Sequence, residues 1–324
     1  MSLKSSLRAV APALPFNPAH LAPDNARDPH HAVFGQTSSP TLDSLPTVDI
    51  RLDQAAQTLW TFMRPGGRPS FSPPLLRDLH TVQQNIHHLA QQTDGALPFR
   101  HIVVGSRVPG IFNLGGDLSL FAEKIMQGDR DGLRRYAYHC VDVVFANADG
   151  YGHCLTTVAL VQGDALGGGF EAALSCDVII AEKHAKFGLP EILFNLFPGM
   201  GAYTLLSRRL NPRMAEKIIL SGQTYTATEL HEMGIVDAVA ETGEGESAVC
   251  EHLARIDRRH NAHDAIQRIK RLVNPISHQE LRDITDIWVE AALRLTEADL
   301  RKMMRLVNAQ NRRIGAPRPE SVAS

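Results

Sequence analysis

Two glutamates stand between apolar neighbours in the most apolar stretch of the chain, "ALVQGDALGGGFEAALSCDVIIAEKHAKFGLPEILFNLFPGMG", residues 159–201. Glu171 follows the run Gly167, Gly168, Gly169, and Glu191 follows Pro190. Apolar surroundings push a carboxyl group toward its neutral form. Two such groups in unlike environments divide the work, one holding a proton and the other a charge. That division suits removal of a proton from one carbon and protonation of a hydroxyl leaving the next. A second glycine pair lies upstream in "NLGGDL", residues 113–118. Each glycine turn follows a strand-like run and precedes a helix-like one. The first amides of a helix lack intrahelical acceptors, and glycine permits close backbone approach. Two such turns side by side aim two N–H groups at one oxygen. This is an oxyanion hole, suited to a thioester carbonyl becoming an enolate. Ordinary turns and helix-capping glutamates read the same residues differently. A dinucleotide fingerprint fails on spacing, because the third glycine of GxGxxG falls on Ala172.

The elements that must position these groups alternate between strand and helix patterns. "TVDIRLD" and "QTLWTFM" read as an antiparallel pair. Leu75, Leu79, Val82, Ile86 and Leu89 recur at helical spacing. "FRHIVVGS" reads as a short buried strand, and residues 131–148 as a helix with Leu133, Tyr136, Ala137, Cys140, Val141, Val144 and Phe145 on one face. "CLTTVALVQG" and "DVIIAE" are strands with the helix "FEAALS" between them. "PRMAEKIILSG" and "TATELHEMG" are helices closed by glycine. Beyond about 245 the pattern is helical, with Leu281, Ile284, Trp288, Ala291 and Leu295 on one stripe of a long helix. The reading is an α/β core at 46–244, an N-terminal arm at 1–45 with no sustained period, and a helical region at 245–324.

Composition narrows the function. The 324 residues are 44% hydrophobic, enough for a sizeable core. Net charge is −2, with no basic stretch to release phosphate counterions, so nucleic acid is not an expected partner. The four cysteines form no CxxC pair and read as buried reduced thiols. No apolar run approaches the ~20 residues of a membrane span, and no signal-peptide pattern opens the chain. A cytoplasmic location is expected.

The ordered motifs from 159 to 201, continued by "AEKIILSGQTYTATELHEMGIVDAVA", resemble the crotonase (enoyl-CoA hydratase/isomerase) superfamily over about residues 98–240. The resemblance implies a spiral of ββα units with C-terminal helices. It implies oxyanion amides at Gly116 and Gly168 and a hydratase pair at Glu171 and Glu191. Keeping both glutamates favours hydration or dehydration over the branches that keep one or neither. "PGIFNLGGDLSLF" departs from the coenzyme A hydratases, which read more like "AGADLKEM". Ser119 stands where those place a lysine near the cofactor phosphates. That stretch, the "RRYAYHCVDVVFA" helix and the long lead resemble bacterial diffusible signal factor synthases. Those enzymes dehydrate a 3-hydroxyacyl thioester on acyl carrier protein to a cis-2-enoyl product and then hydrolyse the thioester. On that resemblance Glu191 takes the C2 proton and protonated Glu171 gives its proton to the departing hydroxyl. Phe187, Leu189, Met200 and Trp288 are candidate walls of an acyl tunnel. The alternatives are an enoyl-CoA hydratase of fatty-acid metabolism and a crotonase-fold partner of a sensor kinase with little catalysis. Family membership implies a homotrimer or a pair of trimers, and no metal or redox cofactor is expected.

Overall fold

The run from Thr58 to Met63 carries large apolar side chains on both of its faces, and its surroundings bury all six residues. This is β2 (Thr58–Met63), which pairs antiparallel with β1 (Val48–Asp53) in the register Val48↔Met63 to Asp53↔Thr58. Leu59 and Met63 enter one core cluster, Trp60 and Phe62 another. A strand covered on both sides reads as a continuous hydrophobic run. The computed structural model describes residues 42–315, with side chains to 310. The arm expected at 1–45 lies outside the described residues except for its last four, and residues 316–324 of the tail also lie outside them.

Helix α1 (Pro73–Gln92) starts on prolines at its first positions, where no N–H is needed, and buries Leu75, Leu79, Val82 and Ile86. Then come β3 (His101–Ser106), β4 (Gly110–Asn113), α2 (Leu118–Met126) and α3 (Arg130–Ala148). The next elements are β5 (Thr156–Val161), β6 (Gly163–Leu166), α4 (Gly168–Ser175), β7 (Val178–Glu182) and β8 (Lys186–Gly188). A 3-10 turn, Pro190–Phe194, leads to α5 (Ala202–Arg209), α6 (Pro212–Ser221), β9 (Thr224–Thr226), α7 (Ala227–Glu232) and β10 (Ala238–Ala240). Four helices close the described chain: α8 (Gly245–Asp257), α9 (His260–Val273), α10 (His278–Ala292) and α11 (Glu297–Gly315).

These strands form two sheets. The larger has the order β1-β2-β3-β5-β7-β10, the smaller β4-β6-β8-β9. Each repeat of the spiral gives one strand to each sheet: β3 then β4, β5 then β6, β7 then β8. The short strands of the smaller sheet set the site. Parallel β4 and β6 pair at Gly110↔Gly163 and Asn113↔Ala165, so the two glycine turns that follow them emerge as neighbours. Parallel β8 pairs with β6 at Leu166↔Gly188, which brings the Glu191 turn alongside. The strands have three or four residues each, too few to show a period, and sequence patterning does not reveal them.

The C-terminal helices share the core. Val249, Leu253 and Ile256 of α8 pack with Trp60, Phe62 and Ile180 on the outer face of the larger sheet. Trp288 and Val289 of α10 join Leu133 of α3 and Met303 and Val307 of α11 in a further cluster. The α10 stripe is shorter than the pattern predicts: the helix stops at Ala292, and Leu295 packs from the turn beyond it. Of the cysteines, Cys140 and Cys176 are buried, whereas Cys154 and Cys250 are exposed free thiols. Among the described residues no helix is long and apolar enough to cross a membrane.

Gly169 shows how tightly the glycine turns meet. A Cβ there would overlap the carbonyl oxygen and carbon of Asn113 at the end of β4. Alanine in a helix normally gains about 0.5–1 kcal/mol over glycine, whereas overpacking costs about 1–3 kcal/mol. Gly169→Ala is therefore expected to lower the melting temperature by about 3 °C or more, read by calorimetry. An unchanged or higher value would contradict this backbone contact.

Candidate active site

Glu171 sits in the first turn of α4 and is 1% exposed. One of its oxygens, Oε1, accepts from Met200 N at 2.8 Å and Ala202 N at 2.9 Å. Ala202 opens α5, so this carboxylate faces the positive end of a helix. Gly201 adopts φ 110°, a left-handed conformation that favours glycine, between the two donors. A further layer holds α5. Arg208 makes a two-pronged pair with Glu280 of α10 at 2.9 and 2.8 Å, and Thr204 Oγ1 donates to the same carboxylate. Thr285 Oγ1 of α10 donates to Gly199 O just ahead of the donors.

Glu191 lies in the 3-10 turn after β8. The residue is half-buried, but Oε2 is shut from solvent and, among the described residues, has no hydrogen-bond partner. Its other oxygen lies over the backbone of Gly167, where a Cβ would come to 2.6 Å. Gly167 also has φ 53° and ψ −127°, which a side chain would not tolerate. The glycine run is thus required at Gly167 for conformation and carboxylate approach, and at Gly169 for the Asn113 contact.

Burial raises the pKa of both glutamates. For Glu171 the amides of Ala202 and Met200 oppose that rise. For Glu191 the negative charge of Glu171 adds to it. The pair therefore shares a proton at neutral pH. The amides that solvate Glu171 favour its charged form, so the proton rests on Glu191. This is the reverse of the dehydration-ready distribution expected from the sequence, because the two amides solvate Glu171 and nothing solvates Glu191 Oε2.

Gly116 and Gly168 face the same space. A Cβ on Gly168 would lie 3.5 Å from Gly116 N. Among the described residues neither amide has an intrachain acceptor. Phe121 covers the Cα face of Gly116 and stacks edge-on against Trp288, with centroids 4.9 Å apart. One cavity of about 40 Å³ joins both glutamates, Gly116, Gly168, Met200 and Trp288. That is room for two or three waters. Phe187 and Leu189 do not line it. Phe187 is fully buried against Phe170, and Leu189 is 1% exposed in the main core cluster. A β8 side chain points into the core by strand alternation, a position that composition did not disclose.

Sequence reasoning missed Phe121, Leu196, Leu306 and Gln310, which also line the cavity. The "LSLFAEKIM" helix carries a visible apolar stripe that could have marked Phe121. Gln310 is buried and accepts from Arg68, whose Nε and Nη1 are shut from solvent without partners. Arg68 also lines a polar hollow of about 320 Å³ with Ser70, Ser72, Asp117 and Ser119. Among the described residues no group of three His, Cys, Asp or Glu side chains could hold a metal ion.

The interleaved sheets and the glycine turns that bring two amides beside a carboxylate pair are those of the crotonase superfamily. The enoyl-CoA hydratase/isomerase family model matches residues 59–292, and the chain belongs to that family. The chain is 33% identical over 181 residues to 2,3-dehydroadipyl-CoA hydratase of Escherichia coli (strain K12), covering 56% of this chain and 64% of that one. It is 28% identical over 201 residues to the probable mitochondrial enoyl-CoA hydratase 2 of Arabidopsis thaliana, covering 60% of each. The matched stretch thus spans less than two thirds of either relative. Among solved structures, Pseudomonas aeruginosa DspI superposes with a TM-score of 0.60 at 25% identity, over 84% of this chain and 91% of that one. Human mitochondrial delta3-delta2-enoyl-CoA isomerase shares the fold, with a TM-score of 0.66 at 18% identity over 83% and 100%.

The raised carboxyls carry a sign for stability. Their folded-state values lie above the unfolded value of about 4.3, so the folded chain binds more protons. The stability they contribute is full below that value and is lost as pH rises through the folded-state values. Glu191→Gln removes most of this loss. Its melting temperature should exceed that of the wild type by a few degrees at pH 8 and approach it at pH 5. Equal melting temperatures at both pH values would place Glu191 in contact with solvent.

Proposed function

We propose that this protein dehydrates a 3-hydroxyacyl thioester carried on acyl carrier protein to a cis-2-enoyl product. It then hydrolyses the thioester to release a cis-2-unsaturated fatty-acid signal. The observation that carries this reading is one cavity that holds two unequally solvated glutamates beside two unpaired amides. The reading extends to a cytoplasmic homotrimer or pair of trimers and to a sensor kinase as protein partner, both from the resemblance to signal factor synthases.

The proton count closes over the two reactions. With the carbonyl oxygen on the Gly116 and Gly168 amides, ionised Glu191 takes the C2 proton. The enolate charge falls on the amides, worth about 2.7–4 kcal/mol for each donor. Protonated Glu171 gives its proton to the C3 hydroxyl, which leaves as water. The pair now holds its proton on Glu191, the distribution that the Met200 and Ala202 amides favour. Hydrolysis starts from there. Glu171 takes a proton from water as its oxygen attacks C1, and the same amides hold the tetrahedral oxyanion. Glu191 protonates the departing thiolate. The pair returns to the dehydration-ready state.

The two sides of the thioester have unlike surroundings. Phe121, Leu196 and Trp288 form an apolar side suited to the acyl chain. The hollow with Arg68 and three serines suits a polar carrier arm. A second reading, an enoyl-CoA hydratase, is favoured by the proton distribution that the unequal solvation of the two carboxyls sets, which is ready to add water across a double bond. It is also favoured by the relatives, whose names specify coenzyme A thioesters.

Mass spectrometry of the products from 3-hydroxyacyl thioesters of carrier protein and of coenzyme A decides between them. The proposal expects free cis-2-enoic acid, faster from the carrier-protein substrate. Reversible formation of trans-2-enoyl-CoA with no free acid would leave only the hydratase. Glu171→Gln and Glu191→Gln should each fold and lose at least about 100-fold in kcat. On the same assay, Arg68→Ala should raise KM about tenfold for the carrier-protein thioester. It should leave KM unchanged for the truncated N-acetylcysteamine thioester, and equal effects on both would remove Arg68 from the arm.

A further inference from the structure

Tyr136 has no part in the proton transfers above, yet its hydroxyl sits against the oxyanion loop. It accepts from Asp117 N at 2.9 Å and donates to Phe71 O. Phe71 runs parallel to Gly116, and Phe71 N donates to Gly115 O at 2.8 Å. Leu114 N donates to Pro69 O at 2.8 Å one rung earlier. The next rung of such a ladder would join Asp117 N to Phe71 O directly. The phenol oxygen stands in that rung and bridges the two. The C=O and N–H of one trans peptide point in opposite directions. With Gly115 O and Asp117 N both bonded on the Phe71 side, the intervening Gly116 N–H points the other way, into the cavity.

We infer that Tyr136 is a positioning residue that fixes the Gly116 amide for oxyanion binding by occupying a rung of the Phe71–Asp117 ladder. The inference rests on the proposed thioester chemistry but concerns a different group. Tyr136 is deeply buried, and burial pushes its hydroxyl far above the ordinary phenol range, so it serves as a neutral bridge rather than an acid. Its ring is braced by Phe121, edge-on at 5.3 Å, and Phe121 in turn covers Gly116. The bridge therefore ties α3 to the glycine turn at a point where main-chain pairing alone leaves a gap. Loss of the hydroxyl strands a buried N–H and a buried carbonyl, and the peptide bearing Gly116 N gains freedom to turn.

The test is Tyr136→Phe, with Tyr151→Phe as the matched control. Tyr151 is equally a buried tyrosine, and its hydroxyl donates to Asn147 in the core, away from the glycine turns. Tyr136→Phe should lower kcat about tenfold or more, part of the 10²–10³ lost when an oxyanion donor is removed outright. KM and the pH profile set by the glutamates should stay unchanged. Dehydration and thioester hydrolysis should fall by the same factor, because both use the same amide. Tyr151→Phe should lower the melting temperature but keep kcat. A Tyr136→Phe protein with wild-type kcat and a lowered melting temperature would overturn the inference and leave Tyr136 a packing residue. If Tyr136→Phe does not accumulate, 3-fluorotyrosine at the same position weakens the oxygen as an acceptor while keeping its shape. A fall in kcat at constant KM then supports the bridge, and an unchanged kcat overturns it. Failure of the proposed function would show instead as glutamate variants that remain active.

Discussion

Two main-chain amides converge on one oxygen of Glu171, and none reaches Oε2 of Glu191. This inequality is the constraint on which the site depends. Equal solvation of two buried carboxyls would leave no preferred place for a shared proton. Exposure of both would return each to the ordinary carboxylate range, fully charged at neutral pH. The donors come from the start of α5, which the Arg208–Glu280 pair and the Thr285 hydroxyl hold against α10. A helix of the C-terminal region thus helps to place a charge in the buried site.

The second constraint is backbone against backbone. The smaller sheet brings the ends of β4, β6 and β8 into a row, and the groups that matter follow each end: Gly116, Gly168 and Glu191. The glycine turns meet so closely that side chains are excluded where they touch. A sheet of three- and four-residue strands has little packing energy of its own. It stands because β4, β6 and β8 each follow closely on a longer strand of the larger sheet, whose two faces are covered.

Much of this was legible in the sequence. The long periodic elements α1 and α3 are plain, and the β1–β2 pair shows as two adjacent, partly alternating runs. The motif run placed Glu171, Glu191, Gly116 and Gly168, and the structure brings all four to one cavity. What escaped has physical reasons. β4, β6 and β8 are too short for periodicity, so the second sheet is invisible. Phe187 and Leu189 read as tunnel walls from position and composition, but neither sets the direction of a side chain across a sheet. Arg68 and Gln310 are nearly 250 residues apart in a chain whose local patterns say nothing of their meeting. The proton distribution escaped for a related reason: it is set by amides of Met200 and Ala202, and backbone donors leave no residue-type signature.

For the proposed acyl thioester, the cavity bears on how substrate enters. About 40 Å³ accepts a few waters but not a fatty acyl chain. Its apolar side is built by side chains of α2, α3, α10 and α11 and by Leu196 beyond the Glu191 turn, whereas the glycine turns and glutamates follow the short strands. The two groups of elements differ in how they are held. The turns are locked by main-chain bonds, by Tyr136 and by contacts too close to yield. The helices meet through side chains such as Phe121, Trp288 and Leu306, which can change rotamer at modest cost. Expansion must therefore fall on the helical side. An acyl chain can part those side chains while the amides and the carboxyl pair keep their geometry. Variation in chain length is then absorbed where packing is soft, and the proton transfers remain confined to where the backbone is rigid.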